Sequence, residues 1–263
     1  RKQGLSLFSP ASPMDSTIAQ HCTELERCNQ RGGRMLSILD LLDANTLELD
    51  LAAYLTARVT RGASVMVGAN PGGAGKTTVM CALLNLLPAD VQLVPATPRA
   101  VHQAAGTPPP KPQCYICHEI GDGPYYAYLW GRDLRTYCAL QDEGYLLGTN
   151  LHADDIDEAR AQVCGDNRVP EPHFNAFDLV LFLWVRGNYG RRNRRIAKVY
   201  ASEGAAPHKL VYEADKPSPL PADPWQDACA EFLEAQHATG ERTIEAVRRS
   251  LVEFLGRQSD GSV

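Results

Sequence analysis

The chain has 263 residues, a formal net charge of -5, 44% hydrophobic and 22% charged side chains, which excludes a wholly disordered chain and allows one large domain or a domain with an appendage. Its longest apolar run, Leu179–Val185, falls far short of the roughly 18 residues of a membrane span. The mild acidity argues against a chain built mainly to hold nucleic acid and leaves only local basic patches.

Residues 1–35 read as a tail ordered only in part. Residues 1–15 lack the apolar stretch of a secretory signal, Met14 reads as the natural start, and residues 1–13 are set aside. Ser37–Leu42 is apolar and turns at Asp43–Asn45. Leu51, Leu55 and Val59, four apart, predict a helix over Leu49–Arg61, which Gly62 would end. Val65–Val67 then reads as a short buried strand, Ala69–Thr78 as a glycine-rich loop, and Val79–Leu87 resumes helical spacing. Strand-like runs follow at Val91–Pro95, Cys114–Ile120, Tyr145–Leu151 and Leu179–Val185, with helices expected over Pro124–Asp142 and Asp155–Cys164. Alternating strands and helices predict an α/β domain over residues 36–215, its sheet mostly parallel and flanked by helices. Arg195–Ala201 and Lys209–Ala214 read as a hairpin, and Ala96–Pro112 as a loop. Residues 216–224 contain four prolines and read as a semi-rigid linker. Residues 225–263 form a helical appendage, with Trp225, Cys229, Phe232, Leu233 and Gln236 marking one amphipathic helix and Ile244, Val247, Leu251 and Leu255 a second.

The strongest chemical signal is the loop Asn70, Pro71, Gly72, Gly73, Ala74, Gly75, Lys76, Thr77, Thr78. Glycines let backbone N–H groups turn inward around an anion, and the helix start that follows adds partial positive charge. Lys76 is placed to bridge β- and γ-phosphates and Thr77 to offer a hydroxyl to Mg²⁺. The usual pattern opens on Gly, where this chain has Asn70, a residue that tolerates left-handed backbone. Pro71 stands where partition-type ATPases carry a second lysine, which weighs against that class.

Two further stretches complete a pattern. Cys117-His118-Glu119-Ile120-Gly121-Asp122 looks like a Walker B strand end, and Glu143–Asp155, containing Thr149-Asn150-Leu151-His152-Ala153-Asp154-Asp155, looks like a histidine box. With the loop, the lead from Ser37 to Gly68 and the hairpin, residues 37–214 resemble the RecA-like P-loop motor domain of the type II and type IV secretion and pilus ATPases, without room for that family's N-terminal domain. The resemblance implies ATP binding and hydrolysis with Mg²⁺, a catalytic set of Glu119, His152 and Lys76, and metal contacts from Thr77 and Glu119. It also implies a cytoplasmic homo-oligomer, hexameric in the family, serving membrane-associated secretion or pilus machinery, with nucleic acid not expected as a partner.

The chain departs from that family at several points. Gly121 replaces an arginine and Tyr145 a histidine, and Val94–Pro98, where an acidic box is expected after the second strand, has no carboxylate. A rival register puts the acidic box at Glu119 and the Walker B end at Trp130–Asp133; the first is preferred because Pro124–Asp142 reads as one helix starting at proline. The empty box leaves a second function open, a regulatory or scaffold protein that holds ATP with little turnover. The arginines at 186, 191, 192, 194 and 195 read as a solvated hairpin tip, with Arg194 and Arg195 the alternatives for an arginine finger reaching a neighbouring subunit. Tyr125, Tyr126, Tyr128 and Trp130 read as core or subunit-interface residues, and Asp154 and Asp155 as helix caps. Cys114–His118 spells the C-x-x-C-H of haem attachment, but its apolar strand setting favours plain strand cysteines, a redox role for the thiol pair being the alternative. Cys81, Cys138 and Cys229 fall in helix-like patterns, and the eight cysteines read as reduced thiols in a cytoplasmic protein.

Overall fold

Strand β1 (Val65–Gly68) is buried at every position, as its unbroken apolar run requires. The architecture comes from a computed structural model, which describes residues 13–29, 32–70, 72–186, 193–216 and 220–260. Helices α1 (Pro13–Arg27), α2 (Ile38–Asp43) and α3 (Leu49–Val59) precede β1. After it come α4 (Lys76–Leu84), β2 (Gln92–Pro95), α5 (Pro98–Ala104), β3 (Gln113–Cys117), β4 (Glu119–Ile120), β5 (Tyr128–Leu129), α6 (Gly131–Ala139) and β6 (Leu146–Leu151). The remainder is α7 (Ile156–Arg160), α8 (Glu171–Asn175), β7 (Leu179–Arg186), β8 (Asn193–Ala201), β9 (Lys209–Glu213), α9 (Pro224–Ala238) and α10 (Ile244–Asp260).

The main sheet runs β2-β3-β6-β1-β7-β8-β9. Its first five strands are parallel, and β7-β8-β9 is an antiparallel meander. This is the expected mostly parallel α/β sheet flanked by helices, with the expected C-terminal hairpin and two C-terminal helices. Side chains alternate across each strand, so Val65 and Val67 enter one core with α1 to α4, α9 and α10, while Met66 enters the other with α5 to α8. The loop after β1 thus emerges from the middle of the sheet, between the ends of β6 and β7.

Close packing holds that exit in place. A Cβ on Gly68 would stand 2.7 Å from the Ala153 carbonyl oxygen and from the Phe182 ring, so the strand end tolerates only glycine.

Several expectations change. Residues 13–27, assigned to the tail, form α1, because Ile18, Cys22 and Leu25 lie on one helical face that the core buries. Ala96–Pro112 contains α5, started by the Thr97 hydroxyl accepting from the Ala100 N–H and by Pro98 in the first turn. The helix expected from Pro124 begins only at Gly131. Ala127 takes a left-handed φ of 54°, and Tyr128–Leu129 instead pairs with Glu119–Ile120 in a two-stranded parallel sheet. Tyr125 and Tyr126 are exposed rather than core residues. Asp155–Cys164 divides into α7 and a wider π-helical turn, Ala161–Asp166. The C-terminal helices pack into the first core through Cys229, Leu233, Val247 and Leu251. Of the proline-rich segment, residues 217–219 lie outside the described residues; Asp223 caps α9 through the Trp225 N–H.

Arg248, on α10, is 1% exposed. Its guanidinium donates to the carbonyls of Asn85 (3.1 Å), Leu87 and Pro88 (2.9 Å). These close the end of α4, where a cation also meets the negative end of the helix dipole. Burial pushes its pKa down to about 10. Arg248→Met removes this cap and leaves buried carbonyls unpaired, so urea denaturation should show a loss of about 2 kcal/mol.

Candidate phosphate-binding site

Gly75 is the N-cap of α4 at φ 98°, a left-handed conformation that leaves the first amides of the helix free. Gly72, Gly73, Ala74, Gly75, Lys76, Thr77 and Thr78 all line one cavity of about 550 Å³, within the size range of small-molecule sites. A Cβ on Gly72 would meet nothing within 4 Å, so this part of the loop faces open space. Pro71 lies outside the described residues.

Lys76 sits at the cavity floor, 8% exposed. Its Nζ donates to the Ala69 carbonyl at 3.2 Å, stands 3.2 Å from Glu119 Oε2 and 3.3 Å from His152 Nδ1. Glu119 follows the end of β3 and is equally buried. Burial pushes the Lys76 ammonium down and the Glu119 carboxyl up; each charge partly offsets the shift of the other. Glu119 Oε1 is buried without a hydrogen-bond partner among the described residues. His152 is half-exposed, with Nε2 3.8 Å from Glu119 Oε2. Its Nδ1 lies 3.2 Å from the Asn70 carbonyl and, according to tautomer, donates there or accepts from Lys76. The structure therefore brings Lys76, Glu119 and His152 into one cluster at the glycine-rich loop.

Glu119 is the only carboxylate among the described cavity-lining residues. Asp133, the rival Walker B acid, lies at the start of α6 and pairs with His102 at 2.7 Å. Thr97, in the expected acidic box, caps α5. The helix from Pro124 that favoured Glu119 does not form; the position of Glu119 rests instead on β3 lying two strands from β1, with β6 between. Tyr145 stands at the opposite end of β6, its hydroxyl donating to the Thr107 carbonyl at 2.8 Å, so this departure does not touch the cavity.

Three functional contacts were missed by sequence reasoning. Asn150 is fully buried and donates from Nδ2 to the His118 carbonyl (2.9 Å) and to Thr77 Oγ1 (3.3 Å), while its Oδ1 has no partner among the described residues. Its signal was the period of two: Asn150 and His152 lie on the same side of the strand end. Asp155 caps α7, accepting from the Asp157 and Glu158 N–H groups, but Asp154 instead accepts from the Asn70 backbone N–H (2.7 Å) and side-chain Nδ2 (3.0 Å). The carboxylate thus clamps the residue that opens the loop, which explains how Asn serves there. Arg194 reaches the glycine-rich loop of its own chain, its Nε donating to the Gly73 carbonyl at 3.2 Å.

The remaining candidates fall elsewhere. Arg195 is held by Glu48 and, at 2.9 Å, by Asp215. Arg191, Arg192 and the side chain of Arg186 lie outside the described residues. Cys114 and Cys117 are buried in β3 and burial raises both thiols, Cys117 to about 12, a setting for inert strand cysteines rather than haem attachment. All eight cysteines are free, and no described helix is long and apolar enough to cross a membrane.

No family model and no curated protein matches the chain. Among solved structures, it is similar to the VirB11 ATPase from the Brucella suis type IV secretion system, determined in complex with sulphate. Identity is 18% and the TM-score 0.42, over 62% of this chain and 54% of that one. The chain thus spans about half the length of that structure.

Proposed function

We propose that this chain binds a nucleoside triphosphate, ATP, at residues 70–78 and hydrolyses its terminal phosphoanhydride bond. One observation carries the reading: a buried lysine at the start of α4 lies 3.2 Å from a buried carboxylate at the end of β3, on the floor of a cavity walled by a glycine loop. Loop amides and Lys76 would neutralise the phosphate tail. Glu119, its free oxygen facing no donor, would take the proton of the attacking water, and a carboxyl raised by burial is a better base for that task. His152 would couple occupancy of the terminal phosphate position to the Asn70 carbonyl and to Lys76.

The residues present fit Mg²⁺. That ion takes one or two protein ligands and completes its shell with water and phosphate; the Thr77 hydroxyl would supply one ligand, and Glu119 would stand beside the ion and hold its waters. No group of three or more His, Cys, Asp and Glu among the described residues forms a metal cage, and phosphate-held Mg²⁺ needs none. When bound, the ion supplies charge neutralisation on the phosphate oxygens. The proposal extends, on the family resemblance alone, to a cytoplasmic homo-oligomer, a hexamer, whose movements serve membrane-associated secretion or pilus machinery.

A second reading is a regulatory or scaffold protein that holds ATP without turning it over. The absence of any carboxylate at Val94–Pro98 favours it. Calorimetry tests the shared premise. Wild-type chain titrated with ATP and Mg²⁺ should bind in the micromolar range, and Lys76→Ala should lose at least about 100-fold, the worth of a charge-assisted contact in a dry site. No heat with either adenine or guanine nucleotides would remove both readings.

A further inference from the structure

We propose that Arg194, from the start of β8, is a phosphate clamp for the nucleotide site of its own chain. This deepens the reading above and rests on it. Among the described residues, three cationic side chains line the cavity. Lys76 is paired with Glu119, and Arg34 with Asp40. Arg194 has no carboxylate partner among the described residues, whereas its neighbour Arg195 has two. Its one described hydrogen bond runs from Nε to the Gly73 carbonyl. That bond anchors the stem over the loop and leaves both terminal nitrogens of the fork free of described partners. The loop is shaped to receive this stem: a Cβ on Gly75 would stand 3.3 Å from Arg194 Cδ. Glycine there thus serves both the left-handed N-cap and the approach of the arginine.

Charge assigns the ligand. Glu119 offsets Lys76, so Arg194 is the cation left among the described residues to meet an anion entering above Gly73 and Gly75. A guanidinium binds phosphate oxygens in pairs and does not deprotonate. The contact is made within one chain, because β8 lies two strands from β1 in the same sheet. It also links the β7–β8 hairpin to occupancy of the site.

The test is calorimetry with ATP and, separately, inorganic triphosphate, each with Mg²⁺. Arg194→Ala should weaken both by about ten- to a hundredfold, with the fold-changes alike for the two ligands. Arg194→Lys should fall between, and Lys209→Ala, an exposed charge on β9, should bind as wild type. Arg194 is exposed, so melting temperature should not move. Wild-type affinity in Arg194→Ala overturns the clamp while leaving nucleotide binding intact. Loss confined to ATP, with triphosphate unaffected, overturns it by placing the contact on the nucleoside. Equimolar Lys76→Ala and Arg194→Ala chains that together regain wild-type affinity overturn the same-chain assignment in favour of a finger from a neighbour. If the wild type binds neither ligand, the nucleotide reading falls and the clamp with it.

Discussion

Glu119→Gln should cut phosphate release by about 10²- to 10⁴-fold, the range of a lost general base, while ATP still binds. The substitution keeps size and removes the negative charge and with it the ability to take a proton. No other described carboxylate lines the cavity to replace it. Binding should hold or tighten, since Lys76 is freed from its carboxylate partner and the incoming phosphates meet one negative charge fewer. The pH profile carries the same signature with a definite sign. The base works ionised, and burial raises its pKa above the ordinary 4.5. Turnover in the wild type should therefore fall as pH drops through a value above 4.5, and that acid limb should vanish in Glu119→Gln. Unchanged phosphate release in this variant would show that the carboxylate is no base, and wild-type release no faster than that of Lys76→Ala would favour the scaffold reading.

Lys76→Met should destabilise the unliganded chain by about 3 kcal/mol, because it leaves the Glu119 charge buried with only half-exposed His152 beside it. Adding Glu119→Gln to the same chain should return most of that loss. A buried pair owes much of its apparent strength to the penalty of separating it, and an amide beside a thioether carries no uncompensated charge. Urea denaturation of the wild type, the two single variants and the double variant gives the coupling directly. A double variant as unstable as the sum of the singles would mean that Lys76 and Glu119 do not sense each other, against the 3.2 Å contact. Nucleotide binding gives the opposite pattern: it should be absent in both variants that lack Lys76, whatever their stability.

Local signals were read well where one short stretch carried all the needed chemistry. The five parallel strands of the main sheet lie within a few residues of the runs expected for them, since each is a short, largely apolar segment. The hairpin was likewise legible. Reading failed where burial and not local pattern decides. Residues 13–27 are polar on most of their surface, and only the apolar face packed against the core shows why they are helical. Pro124–Asp142 carries helix-compatible residues throughout, yet its first part turns at Ala127 and Tyr128–Leu129 pairs with Glu119–Ile120, a contact no local period announces.

The same division runs through the site. The amino-acid sequence by itself determined the loop proposed to cradle phosphate, because a strand, a glycine-rich turn and a helix start are adjacent in the chain. It also singled out Glu119 and His152, through resemblance. Only the tertiary structure decided what faces the cradle. The order β3-β6-β1 sets Glu119, Asn150 and His152 around Lys76, directs Asp154 onto Asn70, and folds β8 back so that Arg194 lies over Gly73. Those partners stand more than 40 residues from the loop in sequence. Their approach depends on strand order and side-chain direction, physical quantities that no local spacing of residues contains.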